Sequence, residues 1–235
     1  MDTSIALVTG ANKGIGKEIA RQLADSGATV FVGARDAERG QRTVDEIGGD
    51  ARLLVLDVTD AASITEAARH VDTLDILVNN AGISGEGRTA EYEEPALFRR
   101  IYDTNVFGVV AVTNAFLPAL RRSPHPRVVN ISSGTGSLTW ATGPEFPHEG
   151  VFAAYRSSKA ALNALTVFYA HSLAADGIKV NALAPGLRRT DLNSRAAAAD
   201  GDPAEAAAGA VRLALLSDDG PSGKFVSWDG TSVPW

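Results

Sequence analysis

A chain of 235 residues is long enough for one large or two small domains with a substantial buried core, which excludes a peptide hormone or a cross-linked mini-fold. Hydrophobic residues at 45% and charged residues at 21%, with 23 Gly and 10 Pro, sit near globular averages and remove collagen-like and disordered readings. The 22 basic and 28 acidic residues leave a net charge of −6, so nucleic acid is not an expected partner, and the absence of Cys excludes disulfides and thiol chemistry.

The chain begins MDTSIALVTG, with no basic leader, and its first apolar run stops at Thr9 and Gly10. No segment reaches the roughly 18 apolar residues of a membrane span. The expectation is a soluble, cytoplasmic protein with no membrane partner.

Short aliphatic runs bounded by Gly, Asn or Asp lie at 5–8, 29–32, 53–56, 76–78, 128–131, 178–183 and 224–226 and read as buried strands. Between them, apolar residues recur at helical spacing: Ile15, Ile19 and Leu23; Ile101, Val109, Val112 and Phe116; Ala161, Leu165, Phe168 and Leu173. This alternation predicts the α/β class, with one doubly wound Rossmann-type domain over 1–235, a parallel sheet of about seven strands and helices on both faces. The alanine-rich tract 196–208 reads as a surface helix or loop.

Directly after the first strand stands TGANKGIG at 9–16, and an amphipathic helix follows. Glycines there permit a tight bend, let the backbone approach a pyrophosphate and bring the anion to a helix N-terminus. The spacing of Gly10, Gly14 and Gly16 departs from G-x-G-x-x-G, but its place between strand and helix marks Gly10, Asn12, Lys13, Gly14, Ile15 and Gly16 as candidate cofactor contacts. The second strand exits as Val32-Gly33-Ala34-Arg35, where an acidic residue would bind a ribose 2′-hydroxyl and a basic one a 2′-phosphate. Arg35 and Lys13 favour NADP(H). Asp36 is either an acidic ribose ligand or the N-cap of the following helix, and its place ahead of 37–47 favours the cap.

TGANKGIG at 9–16, NNAG at 79–82, Asn105 in TNVFG, NISS at 130–133, YRSSK at 155–159 and PGLRRTD at 185–191 stand in the order of the short-chain dehydrogenase/reductases, and the chain resembles that family over essentially its whole length. The Asn-Lys of the glycine turn, Ala34-Arg35-Asp36 and the closing GKFVS run before Trp235 look most like carbonyl reductases. The resemblance implies an NADPH-dependent oxidoreductase that reduces a ketone or aldehyde to an alcohol by hydride transfer, with Asn105, Ser133, Tyr155 and Lys159 catalytic. The alternative is a non-catalytic NADP-binding sensor or scaffold of the same fold, which presence of all four residues disfavours.

The chemistry of these residues is consistent with that role. Tyr155 and Lys159 at i and i+4 share a helix face. A phenol titrating near ~10 needs a nearby cation to work as an acid/base at neutral pH, and Lys159 can be that cation. The resemblance implies in addition that Lys159 holds the nicotinamide ribose and that Asn105 supports a proton relay through water. A serine hydroxyl is needed beside the substrate oxygen as negative charge builds. Ser132 and Ser133 face opposite sides at the strand end, so one can serve; the family pattern assigns Ser133 and leaves Ser132 structural. The resemblance also places Asp57 and Val58 at the adenine, Asn79, Ala81 and Gly82 along the adenosine side, and Pro185, Gly186 and Thr190 around the nicotinamide carboxamide, with Tyr155 and Lys159 touching cofactor as well. Arg188, where the family often has a small aliphatic residue, receives no role.

His70, His125, His148 and His171 are scattered, and no metal site is expected. The partner is expected to be a small-molecule carbonyl substrate. Trp140, Phe146 and Phe152 are candidate apolar walls for it. Phe107, Val110, Phe116, Phe168 and Tyr169 suggest an apolar helical face, which favours a homodimer over a monomer.

Overall fold

The computed structural model describes residues 3–144 and 149–235. Phe146 and His148 lie outside these residues. Seven strands, β1 (Ile5–Thr9), β2 (Thr29–Ala34), β3 (Ala51–Val55), β4 (Ile76–Asn79), β5 (Arg127–Ile131), β6 (Lys179–Ala184) and β7 (Phe225–Ser227), form one sheet in the order β3-β2-β1-β4-β5-β6-β7. Every pairing is parallel. The connecting helices are α1 (Gly14–Asp25), α2 (Ala37–Ile47), α3 (Ala61–Arg69), α4 (Pro95–Tyr102), α5 (Gly108–Leu120), α6 (Leu138–Thr142), α7 (Ala153–Ser172), α8 (Ser194–Ala197) and α9 (Pro203–Ala214).

Strand periodicity divides the core into two layers. Ala6, Val8, Ile76, Val78, Val129 and Ile131 face one way, against Ile19 and Leu23 of α1 and Ala207, Ala210 and Leu213 of α9. Leu7, Leu77, Val128 and Val180 face the other way, against Ile64 of α3 and Val112 and Phe116 of α5. Helices therefore cover both sheet faces, and the strand order reverses between β1 and β4, which opens a crevice at their carboxyl ends.

On α7, Phe168 is 69% exposed and Leu173, at the C-cap, is buried in the core, while the inner face of the helix is formed by Ser158, Lys159, Leu162, Asn163, Thr166 and Ala170. Polar residues occupy that inner face because the sheet beneath offers partners. Asn79 donates to Asn130 Oδ1 (2.9 Å) and Thr113 Oγ1 (3.1 Å), and Asn130 donates to Thr166 Oγ1 (2.9 Å). A buried polar layer is tolerated where its hydrogen bonds are made. The alanine tract, expected as a surface helix or loop, is not merely superficial. It breaks at Asp202, whose side chain caps α9 through the Ala204 amide, and α9 then buries Ala206, Ala207, Gly209 and Ala210. Small side chains let it lie close on α1 and the sheet. Phe116 also belongs to the core and contributes nothing to an outer face.

Candidate active site

The crevice floor is the turn from β1 to α1. Gly10 and Gly14 take φ of +62° and +56°, left-handed values that favour glycine. A Cβ on Gly10 would stand 2.9 Å from the Ala81 main chain, so the turn rests directly against the β4 exit. Thr9 Oγ1 accepts from the Asn80 and Ala81 amides, both at 3.0 Å. Asn80 in turn donates to the carbonyls of Thr9 (2.9 Å) and Gly10 (3.2 Å) and packs against Gly16. Asn80 was not among the expected site residues; its signal was the second Asn of NNAG. The N-cap of α1, Lys13, is extended and supplies no side-chain acceptor, so the first-turn amides are not capped by it. Positive-φ glycines, an uncapped helix start and Thr190 lying against Gly14 make a cradle that fits a dinucleotide pyrophosphate.

At the end of β2, Arg35 is exposed, and its charge acts on Asp57. Burial pushes Asp57 up, but the Thr59 amide and hydroxyl (2.9 and 2.7 Å) together with Arg35 hold it below its ordinary value. Asp36 accepts from the Arg39 amide at 3.0 Å and is the N-cap of α2. Lys13 is paired with Asp191 at 3.4 Å, which links the glycine turn to the segment after β6. Val58 packs against Gly108 of α5. Asn79 turns its side chain inward to Thr113 and Asn130, so any contact with a ligand is left to its main chain.

The residues 155 and 159 come from α7 and those at 132 and 133 from the end of β5. Ser132 Oγ donates to Asn163 Oδ1 (2.5 Å) and is 1% exposed, a structural position. Ser133 points elsewhere. It caps the short helical turn Gly134–Gly136, meets Thr135 Oγ1 at 2.8 Å and hydrogen-bonds Tyr155. Lys159 Nζ donates to the Ile131 carbonyl at 2.8 Å and stands 5.8 Å from the centre of the Tyr155 ring. Burial lowers Lys159 to about 8. The Tyr155 phenol is shifted upward by burial, with the Ser133 hydrogen bond pulling the other way. The expected depression of Tyr155 by Lys159 is therefore not what this structure has: desolvation dominates, and the ammonium is directed at a carbonyl.

Asn105 lies in a single π-helical turn, Asp103–Phe107, between α4 and α5. Its Oδ1 accepts from the Ile83 amide (2.9 Å), and its Nδ2 donates to the Ile83 carbonyl and to Ser158 Oγ, both at 3.0 Å. Ser158 donates onward to the Tyr155 carbonyl at 2.6 Å. Asn105 thus ties the β4 exit to the tyrosine helix through Ser158, a residue that sequence reasoning did not single out although it lies in YRSSK. A Cβ on Gly82 would stand 3.4 Å from Asn105 Oδ1 and 3.6 Å from Lys159 Nζ, so the two side chains meet at that glycine.

A family model described as short chain dehydrogenase matches residues 4–201. The chain belongs to the short-chain dehydrogenase/reductase family. Among relatives, (-)-isopiperitenone reductase of Mentha piperita is 36% identical over 95% of this chain and 96% of that protein. Salutaridine reductase of Papaver bracteatum is 33% identical over 94% of this chain and 93% of that protein. An NADPH-bound carbonyl reductase from chicken fatty liver superposes with a TM-score of 0.85 at 30% identity over 100% of both chains. A 3-ketoacyl-(acyl-carrier-protein) reductase from Brucella melitensis, complexed with NADH, gives 0.84 at 28% identity over 95% of this chain and 96% of that one. This short-chain dehydrogenase/reductase is an oxidoreductase of a family that binds nicotinamide cofactors, and the two solved neighbours hold different ones. Among the described residues no helix is long and apolar enough to cross a membrane.

Trp140 packs over Gly134 and against the small cluster of Ala182, Ala184, Phe225 and Val233, while Phe152 lies on Gly87. Both aromatic side chains are thus engaged with neighbouring protein.

Proposed function

We propose that this short-chain dehydrogenase/reductase is a cytoplasmic, NADPH-dependent carbonyl reductase whose single domain, 1–235, reduces a small ketone or aldehyde to an alcohol. The observation that carries the reading is the meeting of Ser133, Tyr155 and Lys159 at the carboxyl edge of β5, beside a glycine turn shaped for a dinucleotide. The reductase names of the relatives and the NADPH-bound carbonyl reductase neighbour support it.

Gly10, Asn12, Lys13, Gly14, Ile15 and Gly16 would hold the pyrophosphate and adjacent ribose, and Arg35 the 2′-phosphate. Asp57 and Val58 would meet the adenine, Asn79, Ala81 and Gly82 the adenosine side through the main chain, and Pro185, Gly186 and Thr190 the carboxamide. Bound NADPH supplies the hydride that goes to the carbonyl carbon. Tyr155 gives its proton to the carbonyl oxygen, and its raised pKa keeps that proton in place at neutral pH. Ser133 donates to the same oxygen as its negative charge grows. Lys159, charged below about 8, would hold the nicotinamide ribose from its place beside the Ile131 carbonyl. Asn105 has spent its side chain on Ile83 and Ser158, so its part in a water relay falls to its main chain.

A second copy of the chain is the proposed partner. Phe107 at 61% and Phe168 at 69% exposure, with partly buried Val110 and Tyr169, leave an apolar face on the π-helical turn, α5 and α7.

The test is a panel of ketones and aldehydes assayed by loss of NADPH absorbance. Turnover of at least one carbonyl is expected. Tight NADPH binding with no turnover across the panel would instead establish the sensor reading.

A further inference from the structure

Arg188 is an arginine where little solvent reaches: it is 7% exposed. Its guanidinium lies over the Trp228 ring at 4.2 Å, Nε donates to the Pro185 carbonyl at 2.8 Å, and Nη1 pairs with Glu205 Oε2 at 2.9 Å. Nη2 is buried without a partner. A charge so placed, with one half-exposed carboxylate and one unmet donor, is a poor way to fill space. An apolar side chain of similar volume would serve stability as well or better. The value of the guanidinium lies in its geometry, since one rigid plane joins the Pro185 carbonyl, the Trp228 ring and Glu205 at once, beside the link that Arg212 makes from α9 to the Trp228 carbonyl.

Those segments converge on the cofactor cradle. Trp228 is fixed to β6 by its amide on the Ala184 carbonyl (2.9 Å), and Glu205 lies in the first turn of α9. Gly201 interlocks with Arg188, since a Cβ there would stand 2.7 Å from Nη1, and Gly201 accepts the Arg189 amide at 2.8 Å. Beyond Arg189 the chain delivers Thr190 onto Gly14 and Asp191 to Lys13. Between β6 and α9 the only helix is the four-residue α8, so the segment has little regular structure of its own to hold its shape.

We propose that Arg188 is a positioning residue that clamps the 185–191 segment over the glycine turn and thereby sets how tightly the cofactor is held. It touches no reacting atom. The proposal rests on the reading of this cradle as a nicotinamide-dinucleotide site.

The test compares Arg188→Met, Arg188→Lys and Glu205→Gln with the unaltered protein by NADPH fluorescence titration, steady-state kinetics and thermal melting. Both Arg188 variants are expected to raise the NADPH Kd and KM by about tenfold while kcat at saturating NADPH stays within about twofold. Lysine should not rescue, because it lacks the plane that stacks on Trp228 while bonding Pro185 and Glu205. Glu205→Gln should shift Kd the same way by less, and combined with Arg188→Met should add nothing further. Trypsin should also cut after the exposed Arg189 or Arg195 faster in the Arg188 variants. An Arg188→Met protein with the unaltered NADPH Kd, whatever its melting temperature, overturns the clamp. If that variant does not fold, unaltered Kd in both Arg188→Lys and Glu205→Gln overturns it equally. An unaltered protein that binds neither NADPH nor NADH overturns the underlying reading, an outcome distinct from failure of the clamp alone.

Discussion

Glu93 Oε2 accepts the Ala154 amide at 2.8 Å, which pins the first turn of the helix bearing Tyr155 to the chain just ahead of α4. The carboxylate is buried, and its other oxygen, Oε1, has no hydrogen-bond partner. Around it the same two stretches are stitched by the Thr89 and Val151 bridge and by the Phe152 amide on the Arg88 carbonyl at 3.1 Å. Phe152 itself sits at φ +61°, a left-handed conformation held by these neighbours. Removing the acceptor in Glu93→Ala should cost about 1–2 kcal/mol, as for other N-terminal helix caps, and lower kcat by loosening Tyr155. Glu93→Gln keeps an oxygen for the amide and should recover most of both. Urea midpoints and kcat check this; Glu93→Ala at the unaltered values would remove the pinning role.

Tyr155→Phe should reduce kcat by at least about 100-fold, the usual worth of a positioned general acid, with NADPH affinity nearly intact because the hydroxyl acts in the transition state. Ser133→Ala should also reduce kcat, since it removes a donor to the same oxygen. Retention of most of the turnover in Tyr155→Phe would exclude it as the proton donor.

The pH dependence follows from Lys159, held to about 8 by burial against an ordinary 10.5. Between these values the unfolded chain binds a proton that the folded protein has shed, so this residue makes stability rise as pH climbs from about 8 toward 10.5 and weighs against folding fully below that window. Tyr155, raised above 10.0 by burial, acts in the opposite sense, with stability lost as pH rises beyond 10.0. Turnover in the reducing direction should fall as Lys159 loses its charge above about 8, and Lys159→Met should lack that alkaline limb. Unfolding midpoints and kcat/KM across pH 6 to about 10 test both signs. A flat alkaline profile in the unaltered protein would show that the lysine charge is not used.

Cofactor choice should turn on Arg35. A charge-assisted contact to a 2′-phosphate is worth roughly one to two decades in affinity, so Arg35→Ala should weaken NADPH by that much and leave NADH unchanged. Equal binding of the two reduced cofactors by the unaltered protein would end the assignment to NADP.

The exposed pair Phe107 and Phe168 should be covered by a second copy. Light scattering at micromolar concentration should return about twice the 24.5 kDa chain mass, and Phe168→Asp should lower it toward one chain. A mass of one chain for the unaltered protein would leave that face to solvent.

The strand cores at 5–8, 29–32 and 76–78 could be read directly, because a strand buried on both faces needs an unbroken aliphatic run whatever surrounds it. Gly10 and Gly14 were legible for a similar reason: the bend imposes its own φ values, and local chemistry alone selects glycine. Asp36 as a cap followed from its place before α2, and its partner lies only three residues away. Other assignments depended on partners far along the chain. The burial of Thr166 and Asn163 on α7 was not legible, because they are fit for it only opposite Asn130 and Ser132, which the sheet supplies. The upward shift of Tyr155 needed the depth of burial, a property of the assembled layers that spacing between Tyr155 and Lys159 does not contain. Glu93 looks like an ordinary charged residue in the sequence, and Arg188 stands out only as a charge where the family often has a small aliphatic residue. Only packing buries them, against Ala154 in one case and Trp228 in the other, because burial and its compensation arise where distant segments meet.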